Sequence, residues 1–542
     1  MENYKNFGVM LDVSRNAVMS VEALKVFIDC LAKMGYDTLE LYAEDTYKID
    51  DEPYFGYQRG AYTSDELKEI DAYCVARGVE LIPCIQTLAH FTNLARIPHY
   101  ADIIDTNDIL LIDEPKTYEL LDKLFATCAK NFSSRKINIG MDEAHFVGLG
   151  KYLNNHGYTN RFELLNRHLS KVCAISEKYG FRPHMWSDMF FRLAQKGQYH
   201  SEDGKEAKLD QEIINAIPEN IELTYWDYYH DRVQDYELML SQHRKMGKDI
   251  WFAGGAWVWS GFAPNNYYSI RTMKPAMQSV IKEGIDKVLI TMWGDNGKEC
   301  SFFAGIPALY AISEYAKGNF DDEEIKKGFE KLFNVPYDDF ITLDLPNYTK
   351  FAVENKNVQN ASKILLYQDC FMGIVDDLNE KYGKIDYDIF ARKIFDAGKK
   401  IPEFNYIFDC MGDLCLVLDK KMMLGVETRK LYKSNDKNGL LKLIEKYDEV
   451  VTLVKKFHKS FKALWFKENK PFGWEIHDIR LGGLVCRIET CKERLLDFIN
   501  GKITSISELE EEILDFKSPS GPYQMNNYTK IISRSSMCWN LL

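Results

Sequence analysis

Along the first ~316 residues, short apolar runs alternate with longer stretches of helical period, the arrangement of repeated βα units around a parallel sheet. Eight runs stand out: FGVMLDV (7–13), TLELY (38–42), VELIPC (79–84), INIGM (137–141), RPHMW (182–186), IELTYW (221–226), IWFAGG (250–255) and VLITMW (288–293). In VEALKVFIDCLAKMG (21–35), Ala23, Phe27, Leu31 and Met34 recur at helical spacing, and Gly35 suits a C-cap. In SDELKEIDAYCVARG (64–78), Ser64 serves as N-cap and Gly78 closes the helix. Eight such units close a TIM barrel. A doubly wound open sheet usually has fewer strands and often a Gly-rich phosphate turn after the first, which LDVSRN lacks. Beyond GNFDDEEIKKG (318–328) the strand signal fades, and Leu440, Ile444, Tyr447, Val451 and Val454 follow an amphipathic helical stripe. The pattern predicts an α/β chain: a (β/α)8 TIM barrel over residues 1–318, then a mostly α-helical C-terminal domain over 319–542. That second domain either packs on the barrel or serves as a dimerisation appendage, so a homodimer stays open.

Composition narrows the class of partner. The 542 residues carry 46% hydrophobic and 27% charged side chains, a balance that supports a sizeable core and two or three domains. A formal net charge of −13 argues against nucleic acid or an anionic membrane surface, both of which need a positive field. No run reaches the ~18 apolar residues of a membrane span, and the start MENYKNFGVMLDVSRN lacks a signal peptide's basic and apolar regions. The twelve cysteines are scattered without a CxxC pair. They read as reduced thiols, and the expected compartment is the cytoplasm. No metal cluster shows a plausible spacing, so neither metal nor cofactor is expected.

In a TIM barrel the reacting groups sit at the C-terminal strand ends. Taken in order, those ends carry Arg15, then Glu44 and Asp45, Gln86 and His90, Asp142 and Glu143, Trp186 and Asp188. Trp226, Asp227 and Tyr228 follow, then Trp257 and Trp259, then Trp293 and Asp295. Aromatic faces stack on the apolar faces of pyranose rings, while carboxylates and Arg bind hydroxyls. Five of the nine tryptophans fall at strand ends, which favours a sugar pocket over a phosphate pocket. Singly, each residue has a plainer explanation: a Trp near a strand end is more often core, and a lone His such as His90 or His184 is usually structural. Recurrence on one rim is the informative feature.

INIGMDEAH (137–145) resembles the HxGGDE motif of family-20 glycoside hydrolases, the β-N-acetylhexosaminidases. Three other segments fall in that family's order. GVMLDVSRN (8–16) resembles its first strand, with Arg15 in the place that grips sugar hydroxyls. YTSDELKEIDAYCVARGVELIPCIQTLAHF (62–91) resembles its third-strand region, with His90 in the His place. TMWGDN (291–296) resembles its eighth strand, giving Trp293 and Asp295. The resemblance is to the compact subgroup that lacks an N-terminal accessory domain. Met141 replaces the Gly before the acidic pair, AEDTYK (43–48) replaces a Trp-Asp pair, and Asp295 stands where Glu is commoner.

The resemblance implies an exo-acting enzyme that releases terminal β-linked N-acetylglucosamine or N-acetylgalactosamine from an oligosaccharide or glycoconjugate. Substrate-assisted enzymes of this kind dispense with a protein nucleophile: the substrate's acetamido oxygen attacks the anomeric carbon to give an oxazolinium. Glu143 would then act as general acid and base, and Asp142 would orient the acetamido group. Tyr228, with Tyr225 as competitor, would bind the acetamido oxygen. Trp186, Trp226, Trp257 and Trp293 would line the sugar, and His90 would support the carboxylates. NKPFGWEIHDIRLGGL (469–484) is unusually polar and aromatic for a bundle helix. It either reaches the barrel mouth, offering Trp474 and Glu475 to substrate, or forms an interface through Arg480. Two alternatives stay open: a retaining glycosidase with Asp188 or Asp295 as nucleophile on a non-acetamido sugar, and a non-catalytic sugar-binding barrel.

Overall fold

Eight parallel strands pair in chain order and close on themselves in the computed structural model, which describes residues 3–200, 206–207, 209–350, 358–515 and 523–535. The strands are β1 (Asn6–Asp12), β2 (Thr38–Ala43), β3 (Glu80–Ile85), β4 (Lys136–Asn138), β5 (Arg182–Trp186), β6 (Glu222–Trp226), β7 (Ile250–Gly255) and β8 (Lys287–Met292). Closure runs through β1 and β8, from Asn6 opposite Lys287 to Leu11 opposite Met292. Helices cover one face of each strand and barrel side chains fill the other. Every residue of β1, β2 and β8 is therefore buried, which is why β1 and β8 read as nearly continuous apolar runs, while β2 buries Thr38 and Glu40 among its apolar residues.

The predicted strands match to within a residue or two, except the fourth. β4 stops at Asn138, three residues before the end of INIGM, because Asn138 Oδ1 accepts the Gly140 N–H at 3.0 Å and both Gly140 and Met141 adopt left-handed φ near +70°. The first helix, Val21–Met34, ends on Gly35 as expected. The second, Ser64–Ala76, is capped one residue earlier than its sequence suggests. Thr63 accepts the Glu66 N–H and Glu66 accepts the Thr63 N–H, a reciprocal capping box.

Among the described residues no strand follows Met292, and those beyond it are largely helical. Its longest helices, Lys437–Glu468 and Trp474–Ile499, lie antiparallel and reach the barrel. In the first, Leu440, Tyr447, Val451 and Val454 are buried as predicted, while Ile444 is only partly so. Backbone links join the end of that helix to the loop after β1: Ser20 donates to the Glu468 carbonyl (2.9 Å) and Lys470 to the Val18 carbonyl (2.8 Å). Phe262, from the loop after β7, packs on Phe457, Phe461 and Tyr367. The strongest electrostatic tie is a buried cluster. Glu299, after β8, meets Lys363 Nζ at 2.8 Å and Arg480 Nη1 at 2.9 Å, and all three are withdrawn from solvent. No described helix is long and apolar enough to cross a membrane.

Removing the acid from that cluster would leave two buried cations unpaired. Glu299→Ala is expected to destabilise the chain by about 3–5 kcal/mol, read as a lower urea midpoint. Removing the exposed ion pair of Lys116 with Asp102 by Lys116→Ala should leave the midpoint where it was.

Candidate active site

The rim is assembled from the loops that leave the strands. At the end of β1, Asp12 Oδ1 accepts the N–H groups of Ser14 (2.9 Å) and Arg15 (3.1 Å), turning the chain so that Arg15 crosses the barrel mouth. Asp12 Oδ2 pairs with Arg15 Nη1 at 2.9 Å and accepts the Gly294 N–H, so one carboxylate ties the first and last loops together. Glu44, after β2, holds the other side of the guanidinium at 3.1 Å, and the rings of Tyr42 and Trp293 flank it. Burial pushes the Glu44 carboxyl up despite Arg15. The sequence marked Glu44 as a rim residue without giving it this partner.

Asp142 and Glu143 follow β4 on a reversed segment. Gly140, Met141 and Glu143 all have φ between +51° and +70°, and a Cβ at Gly140 would stand 2.2 Å from Gln86 Oε1. Left-handed backbone at a non-glycine residue costs of order 1–3 kcal/mol and persists where the surroundings over-determine it. Here Gln86, after β3, supplies that constraint. Its Oε1 accepts the Met141 N–H and its Nε2 donates to Asp142 Oδ1 at 2.8 Å. His90, itself at φ +62°, hydrogen-bonds Asp142 Oδ2 at 3.0 Å and stands 3.9 Å from Glu143 Oε2. Glu143 keeps about two-fifths of its side chain exposed, with Oε1 3.3 Å from Arg192.

The two carboxylates open onto a cavity of about 150 Å³ lined by Arg15, Trp186, Trp226, Tyr228, Tyr229, Trp259, Trp293 and Asp295. Arg15 and Asp295 also border a wider outer chamber of about 550 Å³, which His90 and Glu475 help to line. The structure thus gathers eight of the predicted site residues around one cavity and brings His90 and Glu475 to the outer chamber. Three it does not bring to the wall. Tyr225 is fully buried with its hydroxyl given to Asp227 at 2.7 Å, which leaves Tyr228 as the cavity tyrosine. Trp257 lies behind Trp259, stacked at 4.1 Å, and donates its N–H to the Tyr228 carbonyl. Trp474, 4% exposed, packs among Phe461, Trp465 and His477 between the long helices. Both readings of segment 469–484 meet in one helix, since Arg480 forms an interface ion pair while Glu475 faces the chamber.

Arg192 and Tyr229 went unrecognised in the sequence. Arg192 lies on the helix Asp188–Ala194, where i,i+4 spacing lets its Nε pair with Asp188 Oδ2 at 2.8 Å while Nη2 reaches Glu143. That spacing after a rim carboxylate was the available signal. Asp188 is buried and also accepts the Glu143 N–H at 3.1 Å, but it does not line the cavity. Burial, reinforced by Asp142, pushes its carboxyl up to about 7. Burial likewise pushes Asp295 up to about 6 against the pull of Arg15.

His90 and Asp142 move in opposite senses. Burial alone would lower the imidazole, yet its ion pair with Asp142 carries it up to about 9. Burial alone would raise Asp142, yet His90 and the Gln86 N–H hold it below the ordinary carboxylate range. The imidazolium therefore contributes stability that is complete below its ordinary 6.5 and is lost as pH rises through about 9. The carboxylate's share is present above its ordinary 3.8 and is lost as pH falls into acid. The Tm difference between the wild type and His90→Gln, followed by calorimetry, is expected to be largest in the mildly acidic range and to shrink as pH passes about 9.

Residues 4–243 match the sequence profile described as "Glycosyl hydrolase family 20, catalytic domain", and residues 338–527 match "Glycoside Hydrolase 20C C-terminal domain". The chain is 22% identical over 349 residues to hexosaminidase D of Homo sapiens, covering 60% of this chain and 68% of that protein. It is 25% identical over 234 residues to a beta-hexosaminidase of Akkermansia muciniphila, covering 36% of this chain and 45% of that one. The chain thus spans about two thirds of the first relative and less than half of the second. A GH20 exo beta-N-acetylglucosaminidase from Vibrio harveyi, solved with N-acetylglucosamine, superposes with a TM-score of 0.48 at 18% identity over 64% of this chain and 59% of that one. The two profiles fall in the order of barrel and helical region and account for most of the chain, which belongs to glycoside hydrolase family 20.

Proposed function

We propose that this chain is an exo-acting β-N-acetylhexosaminidase that retains anomeric configuration and uses the substrate's acetamido group as nucleophile. One observation carries the reading: Asp142 and Glu143 enter the same aromatic cavity from one reversed turn, in unlike surroundings. Asp142 is buried and kept ionised by His90 and Gln86. A carboxylate has about four acceptor positions, and with Gln86 and His90 on two of them, room remains for the acetamido N–H. Glu143 is half-exposed at the cavity edge, where a glycosidic oxygen and then a water can reach it.

The steps follow from that division. The acetamido carbonyl oxygen bonds to the anomeric carbon while the bond to the leaving oxygen breaks, and Glu143 delivers its proton to that oxygen. Asp142 stabilises the positive charge spreading over the acetamido nitrogen, an interaction strongest in the transition state. Tyr228 donates to the acetamido oxygen. Water then attacks the anomeric carbon, Glu143 takes its proton, and the ring opens to N-acetylhexosamine. Arg15 and Asp295, with Glu44 behind the Arg, bind the hydroxyls at the far end of the sugar. Trp186, Trp226, Trp259 and Trp293 pack its faces. Asp188 is disfavoured as a protein nucleophile because it is buried behind the cavity with Arg192 and the Glu143 N–H on one oxygen. Of the eleven free cysteines among the described residues ten are buried, which suits a reducing compartment such as the cytoplasm.

Aryl β-glycosides of N-acetylglucosamine and N-acetylgalactosamine are expected to be cleaved, the plain β-glucoside is not, and a thiazoline analogue of the oxazolinium should inhibit. Efficient hydrolysis of the glucoside without thiazoline inhibition would sink the substrate-assisted mechanism. Glu143→Gln and Asp142→Asn should each lower kcat by about 10²–10³. Only the first should be relieved with substrates whose leaving groups need no proton.

A further inference from the structure

Behind the Trp226–Tyr229 side of the cavity, three side chains with metal-binding atoms converge from two successive loops. Asp227 and His230 leave β6, and His200 comes from the loop after β5. One ligand atom from each lies within 4.8 Å of the others. His230 Nδ1 is 2.7 Å from Asp227 Oδ2, and His200 Nδ1 is 3.7 Å from the same oxygen. The sequence hides this group, because 26 residues separate His200 from Asp227.

Two features set the cluster apart from an ordinary buried ion pair. The first is His200, whose two ring nitrogens are both shielded from solvent and have no hydrogen-bond partner among the described residues. An imidazole whose nitrogens are buried without a hydrogen bond pays a desolvation cost that the Asp227 carboxylate, 3.7 Å from Nδ1, offsets only in part. The second is the fixing of the carboxylate. Asp227 Oδ1 accepts the Tyr229 and His230 N–H groups, and Tyr225 donates to Oδ2 at 2.7 Å. Supporting hydrogen bonds of this kind orient metal ligands.

We propose that His200, Asp227 and His230 bind a divalent transition-metal ion of the zinc type. Two imidazoles and one carboxylate suit such an ion, and three protein ligands leave a fourth position for water. Bonds of about 2.0–2.1 Å hold two ligand atoms no more than about 4.2 Å apart. The three atoms lie within 4.8 Å of one another, so binding requires the rings to close that gap only slightly. The ion replaces the proton shared by His230 and Asp227, and that proton leaves to solvent. The site would tie the loop after β5 to the loop after β6. Tyr199 and His200 pack directly on Trp226 at 4.7 and 5.7 Å, so the tie braces the cavity wall rather than joining the chemistry. The metal site stands independently of the glycosidase reading.

Isothermal titration of zinc into the chelator-stripped full-length chain near neutral pH tests it. One equivalent is expected to bind, with a concentration-dependent rise in Tm. His200→Ala and His230→Ala should each weaken binding by more than about a hundredfold, and Tyr225→Phe by about 10–100-fold. His200→Cys, which restores a ligand, should recover most of the affinity and separates loss of a ligand from loss of structure. Absence of zinc binding overturns the proposal. So does equal binding by the wild type and both alanine variants, which would place the ion on thiols elsewhere. A preference for magnesium or calcium, which take oxygen ligands, also overturns it.

Discussion

Everything at the barrel mouth depends on the chain reversal that ends β4. In an extended strand the side chains of residues 142 and 143 would point to opposite faces, one into the cavity and one into the surrounding helices. Left-handed backbone at Gly140, Met141 and Glu143 removes that alternation. The turn is not self-sufficient, since two of the three residues carry a Cβ. Gln86 holds it from β3 by accepting the Met141 N–H, and the same amide then grips Asp142. Strain, its restraint and the aim of the carboxylate are thus one arrangement, and Gly140 is the residue that lets Gln86 approach closely enough.

Around that turn the protein crowds acidic groups whose charges could not all persist unaided. Asp12 and Glu44 face Arg15, Asp142 faces His90, and Asp188 faces Arg192. Each cation is assigned to a side of the cavity, so the ionised form is held at Asp142 while burial raises Asp188 and Asp295. Arg192 bridges Asp188 and Glu143 and so couples the fifth strand's loop to the acid at the edge. The field inside the site is set by pairing more than by the chain's net charge.

The helical region takes part in this geometry. The loop carrying Asp295 is held from outside the barrel. Arg480 donates to the Asn296 carbonyl and side chain, Lys363 donates to the same carbonyl, and His477 hydrogen-bonds the Gly297 carbonyl. Gly297, at φ +106°, has the Arg480 guanidinium where a Cβ would sit. The buried Glu299 cluster that joins the two parts of the chain therefore also fixes one wall of the cavity.

The eight strands, the barrel, the helical remainder and the rim positions were legible in the sequence. Strands buried on both faces are mostly apolar, and helices must carry a stripe, so each element writes its own period. Thr63 in place of Ser64 as a cap is the scale of error within such elements. Beyond the strand ends that code stops. Trp257 and Trp259 are equally plausible on paper, and only the packed loop puts Trp259 on the cavity and Trp257 behind it. Trp474 had the right chemistry but faces the helix core, and Tyr225 spends its hydroxyl on Asp227. Arg192, Tyr229 and the grouping of His200 with Asp227 and His230 depend on which loops become neighbours. The acidic pair after the fourth strand could be read from the chain alone, because local period and strand ends are properties of neighbouring residues. What each carboxylate faces was decided by the tertiary structure, since its partners lie on other strands and irregular backbone has no period from which their direction could be inferred.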